Sequence, residues 1–175
     1  MARSCLNKLA GNITVGCTIP SVGVKNIYLM HAEDTTCRFV NNPRRVSGVV
    51  FASGAKSYLV EGYKQNIQAT GSLKSLGASA SMDVSVTFKI PISASNIDFV
   101  DTITTGGFRV LVIYNSGNAA ILGSVVPLEC SAADFDSNAN AGMVTLTLST
   151  PEGAAGSPFI TPLKAAVDTI ISKSV

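Results

Sequence analysis

The sequence predicts a mainly β protein, an antiparallel β-sandwich or half-barrel with one short internal helix and a C-terminal helix, and three stretches carry that prediction. In the first, Val84, Val86, Phe88 and Ile90 alternate with Ser85, Thr87 and Lys89, the period of two that turns one face of a strand to a core and the other to solvent. In the second, Val144, Leu146 and Leu148 alternate with Thr145, Thr147 and Ser149 in the same way. In the third, residues 108–114 are apolar except for Arg109, too short for a typical helix and rich in β-branched residues, as expected of a strand covered on both faces.

The remaining elements are placed around these three. Residues 1–21 show no sustained period and hold Gly11, Gly16 and Pro20, which reads as an N-terminal arm preceding a β-sandwich domain over 22–160. Val24, Ile27, Tyr28 and Leu29 predict a first strand over 22–30, and a polar connection with the turn signal Asn41-Asn42-Pro43 follows. Residues 46–51 and 57–63, joined by Ser53-Gly54-Ala55-Lys56, read as a hairpin with Gly54 at a positive-φ position. Residues 71–80 have glycines at Gly71 and Gly77 and no period, so they are expected to form a loop; its Leu73 and Leu76, flanking Lys74, would be costly to leave exposed unless they insert into a neighbour. Ser95 with Asp98 three residues on predicts a capped helix to about Thr104, stopped by Gly106 and Gly107. Asn115-Ser116-Gly117-Asn118 turns the chain into a partner strand from Ala119, and Pro127 breaks the strand signal over 122–133. In the C-terminal segment, 161–175, Thr161 is expected to cap and Pro162 to open an amphipathic helix whose stripe is Leu163, Ala166, Val167, Ile170 and Ile171. That stripe is expected to pack mainly on the subunit's own sandwich, with a swap onto a neighbouring subunit as the alternative.

Composition narrows the function classes. Of the 175 residues 46% are hydrophobic, which excludes a disordered chain, and only 14% are charged, against roughly 25% in ordinary soluble domains. With a formal net charge of +2, such a surface offers little electrostatic resistance to association, so the chain is expected to be a subunit of something larger. Arg44-Arg45 is the one adjacent basic pair and reads as a loop, not a phosphate clamp. The sequence shows neither a signal-peptide h-region nor an apolar run near the roughly 20 residues of a membrane span, which predicts a soluble protein with no membrane partner.

No cofactor, metal or catalytic constellation is expected. Cys5, Cys17, Cys37 and Cys130 are scattered and His31 is the single histidine, so the thiols read as reduced; a Cys5–Cys17 link would require an oxidising medium. Asp134, Asp136 and Asn138 imitate a calcium loop, but Ala139 stands at the sixth position and Thr145 at the twelfth, where Gly and Glu are needed. There is no nucleophile elbow, phosphate loop or zinc-protease motif, and the acidic pairs Glu33/Asp34 and Asp134/Asp136 sit in turn-like polar contexts. The chain is therefore expected not to be an enzyme.

The order of elements over 82–90, 95–104, 108–114 and 119–151 resembles the tail tube proteins of tailed bacteriophages, and the lead-in over 5–17 with Gly23-Val24-Lys25-Asn26-Ile27-Tyr28-Leu29 resembles small virion proteins of gut Bacteroidetes phages. The resemblance is one of pattern, without a signature motif. It implies a virion protein, made in the host cytoplasm, that stacks as hexameric rings around a lumen conducting DNA non-specifically, with itself and other virion proteins as partners. The C-terminal helix and slightly basic charge depart from the simplest tube subunits and keep a capsid decoration or connector role open, as well as a carbohydrate-binding β-sandwich of the virion, although Trp is absent. Candidate inter-subunit contacts are Gly71, Leu73, Lys74, Leu76 and Gly77 of the glycine-bounded segment and Leu163, Val167 and Ile170 of the terminal helix.

Overall fold

The computed structural model describes residues 23–40, 45–62, 66–76, 79–135, 142–154 and 160–175, with the backbone alone over 74–76 and 79–81 and at Ser95. In chain order the elements are β1 (Val24–His31), β2 (Thr35–Val40), β3 (Arg45–Phe51), β4 (Ser57–Glu61), β5 (Ile67–Leu76), β6 (Ser79–Pro91), α1 (Ala94–Thr105), β7 (Gly107–Tyr114), β8 (Ala119–Leu122), β9 (Leu128–Phe135), β10 (Met143–Ser149), β11 (Thr161–Pro162) and α2 (Lys164–Ser172). The protein is mainly β, as the alternating stretches predict.

An eight-stranded antiparallel sheet runs β4-β1-β7-β9-β10-β6-β5, with β8 also on β7, and a small sheet runs β11-β3-β2. The large sheet curls over itself. Leu29, Val110 and Val112 from β1 and β7 share one core with Val86, Phe88, Leu146 and Leu148 from β6 and β10, and β1 touches β5 five places along the strand order, which a flat sheet could not achieve. The bend lies at β9: Phe108 of β7 pairs with Leu128, and further along the same strand Leu146 of β10 pairs with Ala133. The interruption at Gly123–Pro127 makes this handover geometric, since β8 leaves β7 after Leu122 and β9 rejoins it at Leu128. Gly123 sits at φ 71°, where an added Cβ would lie 2.8 Å from the Phe108 carbonyl oxygen.

A second core fills the back of β1, β7 and β8. Tyr28, Met30, Leu111 and Ile121 meet Cys37, Val46 and Val49 of the small sheet, Ile160, and Ala166 and Ile170 of α2. Strand β7 is thus covered on both faces, Val110 and Val112 in one core and Leu111 in the other, matching the continuous apolar run. The hairpin turn at 115–118 is also as expected: Gly117 has φ 83° and Tyr114 N donates to Asn118 O.

Four sequence expectations are corrected. Residues 46–51 and 57–61 are strands but not a hairpin: β3 pairs with β2 and β11, whereas β4 pairs with β1, so the Gly54 turn carries the chain from one sheet to the other. The polar connection before them contains β2, whose buried positions are Thr35 and Cys37 and not large aliphatics. The first helix begins after Ser93, two residues ahead of Ser95, and Ser93 makes no side-chain cap bond; Asp98 consequently lies beyond the first turn. Thr161 and Pro162 are strand residues parallel to Arg45 and Val46, and Leu163 occupies the cap position of α2, with its N–H bonded to Val46 O. Gly106 does end α1, in an extended conformation, with its N–H on Thr102 O.

Candidate functional site

The segment 71–80, expected as a loop, is strand for most of its length. Ten pairs in unbroken register join β5 to β6, from Ile67 opposite Phe88 to Leu76 opposite Ser79. Up to Val84 the pair is backed by β10, whose last partner pair is Ser149 with Ser85. There Thr150 closes the sheet: its N–H donates to Val84 O (3.0 Å), and Val84 N donates to Thr150 Oγ1 (3.1 Å). Past that point residues 72–76 and 79–83 continue as a two-stranded ribbon of about 16 Å, at the ordinary rise per strand residue.

The core follows the ribbon only to its root. Ile67, Ala69, Gly71 and Leu73 occupy one face of β5 by the two-residue period, opposite Phe88, Val86, Val84 and Met82. Burial fades along this row: Ile67 is buried, Ala69 half-buried, and Leu73 is 72% exposed. A two-stranded ribbon with an exposed leucine is marginal in water by itself and gains from a covering surface. Lys74 and Leu76 lie on the same ribbon, paired with Ser81 and Ser79, and Gly71, opposite Val84, stands at its root; Gly77 lies outside the described residues. The outer face of the supporting sheet is hydroxyl-rich, and cross-strand bonds tie Thr70 to Ser85 (2.7 Å) and Thr87 to Thr147 (3.0 Å).

The α2 candidates divide. Ile170 is fully buried and Val167 half-buried against the second core, whereas Leu163 at the helix entrance is 38% exposed and Ile171 is 40% exposed. The helix is held to its own chain by Ser57, a fully buried serine whose Oγ donates to Ile170 O (2.7 Å), whose N–H donates to Lys173 O and whose carbonyl accepts from Val175 N. The C-terminal residues thereby meet the first residue of β4, one edge of the large sheet, while β5 forms the other edge.

Arg109, His31 and the two described thiols are engaged structurally. Arg109, the single polar residue in the apolar run, sends Nη1 to Ala32 O, Thr35 O (2.7 Å) and Thr35 Oγ1 (3.2 Å), clamping the turn between β1 and β2. His31 packs its ring on Phe108 (centroids 4.8 Å) and edge-on to Tyr58 (5.9 Å). Burial pushes the Cys37 thiol up, against a smaller opposing pull from the Arg109 charge, and burial also raises Cys130 against a smaller effect of its bond to Ala132 O, so neither thiol is tuned as a nucleophile. Among the described residues no group of three or more His, Cys, Asp or Glu side chains could hold a metal ion. The Arg109 clamp was legible only as an oddity, a cation in an otherwise apolar strand, because its acceptors come from a turn 74 to 77 residues away.

Comparison with known proteins adds no relative: no family model matches the chain, and no curated protein or solved structure matches it.

Proposed function

We propose that the chain is a structural subunit that assembles with copies of itself in a virion, and that within that class it is a tail tube subunit whose stacked rings conduct DNA. The observation that carries this reading is the β5–β6 ribbon: an edge strand without proline or bulge, projecting past the last row of the core with Leu73 exposed at 72%. A low-charge surface with net charge +2 favours the same outcome, since little repulsion opposes subunit contact. The ribbon supplies the interaction surface, α2 stabilises the subunit, and a weakly charged surface suits non-specific passage of DNA, which Lys and Arg clusters would retard.

Leu73→Asp tests the reading. The unaltered chain is expected to form higher-order species in sedimentation at micromolar concentration, and the variant to lose them while keeping its melting temperature, because an exposed position changes stability by no more than about 0.5 kcal/mol. Negative-stain images of the unaltered chain are expected to show stacked rings. Closed trimers would move the chain to a decoration or connector role, and a strict monomer at all concentrations would remove the assembly reading.

A further inference from the structure

An open groove of about 940 Å³ lies between the β7–β8 hairpin and the C-terminal elements. Ile113 and Ala119 line it on one side, Pro162 and Val167 on the other, with Lys164 and Asp168 also on its lining. Ile113, Ala119 and Val167 belong to the margin of the second core, where they are only half-buried, so the groove leaves apolar surface in water that a further layer would cover. The α2 side cannot shift to close it, because Ser57 and Val46 fix both ends of the helix by hydrogen bonds.

The chain reaches this place from its other end. Gly23 O accepts from Asn115 N (3.1 Å), and Val24 pairs with Tyr114, so β1 begins beside the turn of the same hairpin that forms one groove wall. Tyr114, Gly117 and Asn118, on either side of that turn, are themselves on the groove lining. Residues 1–22 therefore join the described structure at the rim. Their composition suits the apolar groove: Leu6, Leu9, Ile13, Val15 and Ile19 are spaced along them, and only Arg3 and Lys8 carry charged side chains. A segment tethered at the rim meets the groove at an effective concentration in the millimolar range, above that of any free partner in dilute solution.

We propose that this groove is the docking site of residues 1–22 of the same chain. This inference is independent of the assembly reading: it concerns a contact within one subunit, and it stands or falls whether or not rings form.

The segment carries its own reporters, Cys5 and Cys17. In the full chain with Cys37→Ala and Cys130→Ser, Asp168→Cys on the exposed groove lining is expected to form an intramolecular disulfide with Cys5 or Cys17 on mild oxidation, identified by peptide mapping. Thr70→Cys, exposed on β5 and outside the groove, is expected not to do so. Equal yields from the two sites, or no link from position 168, would overturn the proposal, and a disulfide-linked dimer from position 168 would overturn docking within the chain by assigning the segment to a neighbouring copy. A second measurement needs no cysteine. In the otherwise unaltered chain Val167→Arg, which fills the groove with a charged side chain, is expected to speed tryptic cleavage after Lys8 about tenfold, the factor that accompanies loss of ~1.4 kcal/mol of docking. Unchanged cleavage in a variant that keeps its melting temperature would count against the docking.

Discussion

Strands β7 and β5 are both rungs of the same large sheet, yet they live in opposite surroundings. Strand β7 is covered on both faces: Phe108, Val110 and Val112 fill one core and Leu111 the other, each 2% exposed or less. Strand β5 is an edge, covered on one face at Ile67 and on neither at Leu73. The β5–β6 ladder is unbroken, and the β7 ladders are interrupted by one register shift against β1 and by the change of partner from β8 to β9, so it is not ladder regularity but the number of layers that follow that sets β7 apart. The comparison teaches that in this fold stability is concentrated where the small sheet and α2 add a third layer, and the surface left for partners is where layers are subtracted. A protein of this composition can keep its core and its contact surface in one sheet because they occupy different ends of it.

The comparison breaks most sharply in a matched pair of truncations. Leu111→Ala removes a fully buried side chain between the large sheet, Val49 and Ile170, and is expected to cost about 2–5 kcal/mol, the range for such cavities. Leu73→Ala is expected to stay within about 0.5 kcal/mol. Denaturant titrations of both variants check this; similar midpoints for the two would mean that the ribbon is part of the stabilising core.

A smaller effect is expected at the crossing between the two regions. Gly62 leaves β4 over the start of β1, its N–H bonded to Lys25 O (2.9 Å), and a Cβ there would run into that same carbonyl. Backbone, unlike a flexible side chain, cannot give way locally, so Gly62→Ala is expected to cost about 1–3 kcal/mol, as overpacking does. Gly54→Ala is a useful contrast with a different cause: its surroundings are open, but φ is 82°, so its cost is conformational and is expected to be about 1 kcal/mol. Thermal melts of the two variants separate a steric cost from a torsional one.

Much of this fold was legible where one residue pattern met one layer. The alternation in β6 and β10 marked a core face correctly because Val84, Val86, Phe88, Leu146 and Leu148 are large and their neighbours are Ser and Thr. The unbroken run in β7 marked two covered faces for the same reason. Strand β2 was hidden because Thr35 and Cys37 do the burying there, and neither announces a core. The pairing of β3 with β2 instead of β4 was invisible to a local reading: a good turn at Gly54 predicts a reversal, but the partners are chosen by Val46 and Val49 entering a core assembled from distant segments. The candidate site was half legible. Glycine and serine in 71–76 weaken strand propensity and suggested a loop, whereas the register imposed by β6 carries those residues on as a ribbon; Leu73 stood out in either conformation because nothing apolar lies beside it in sequence.

The smallest expected effect concerns Cys37, which sits in the second core, on the layer added over β7, where the Arg109 charge acts on it. Burial raises its thiol above the ordinary range, and the Arg109 charge opposes this without overcoming it. The sign follows from proton binding: the folded state holds the thiol proton more tightly than the unfolded state does. The contribution of the neutral thiol to stability is therefore complete below the ordinary thiol value of about 8.5 and is lost as pH rises from there through the raised value of the folded state. The slope is bounded at about 1.4 kcal/mol per pH unit for a single group. Cys37→Ala is expected to flatten this alkaline decline, at a constant cost from the lost sulfur, while Cys130→Ala, at a half-exposed site, is expected to alter it less. Denaturant midpoints taken across pH 7.5 to 10 read the difference, and parallel declines in the unaltered and Cys37→Ala chains would assign the alkaline loss to other groups.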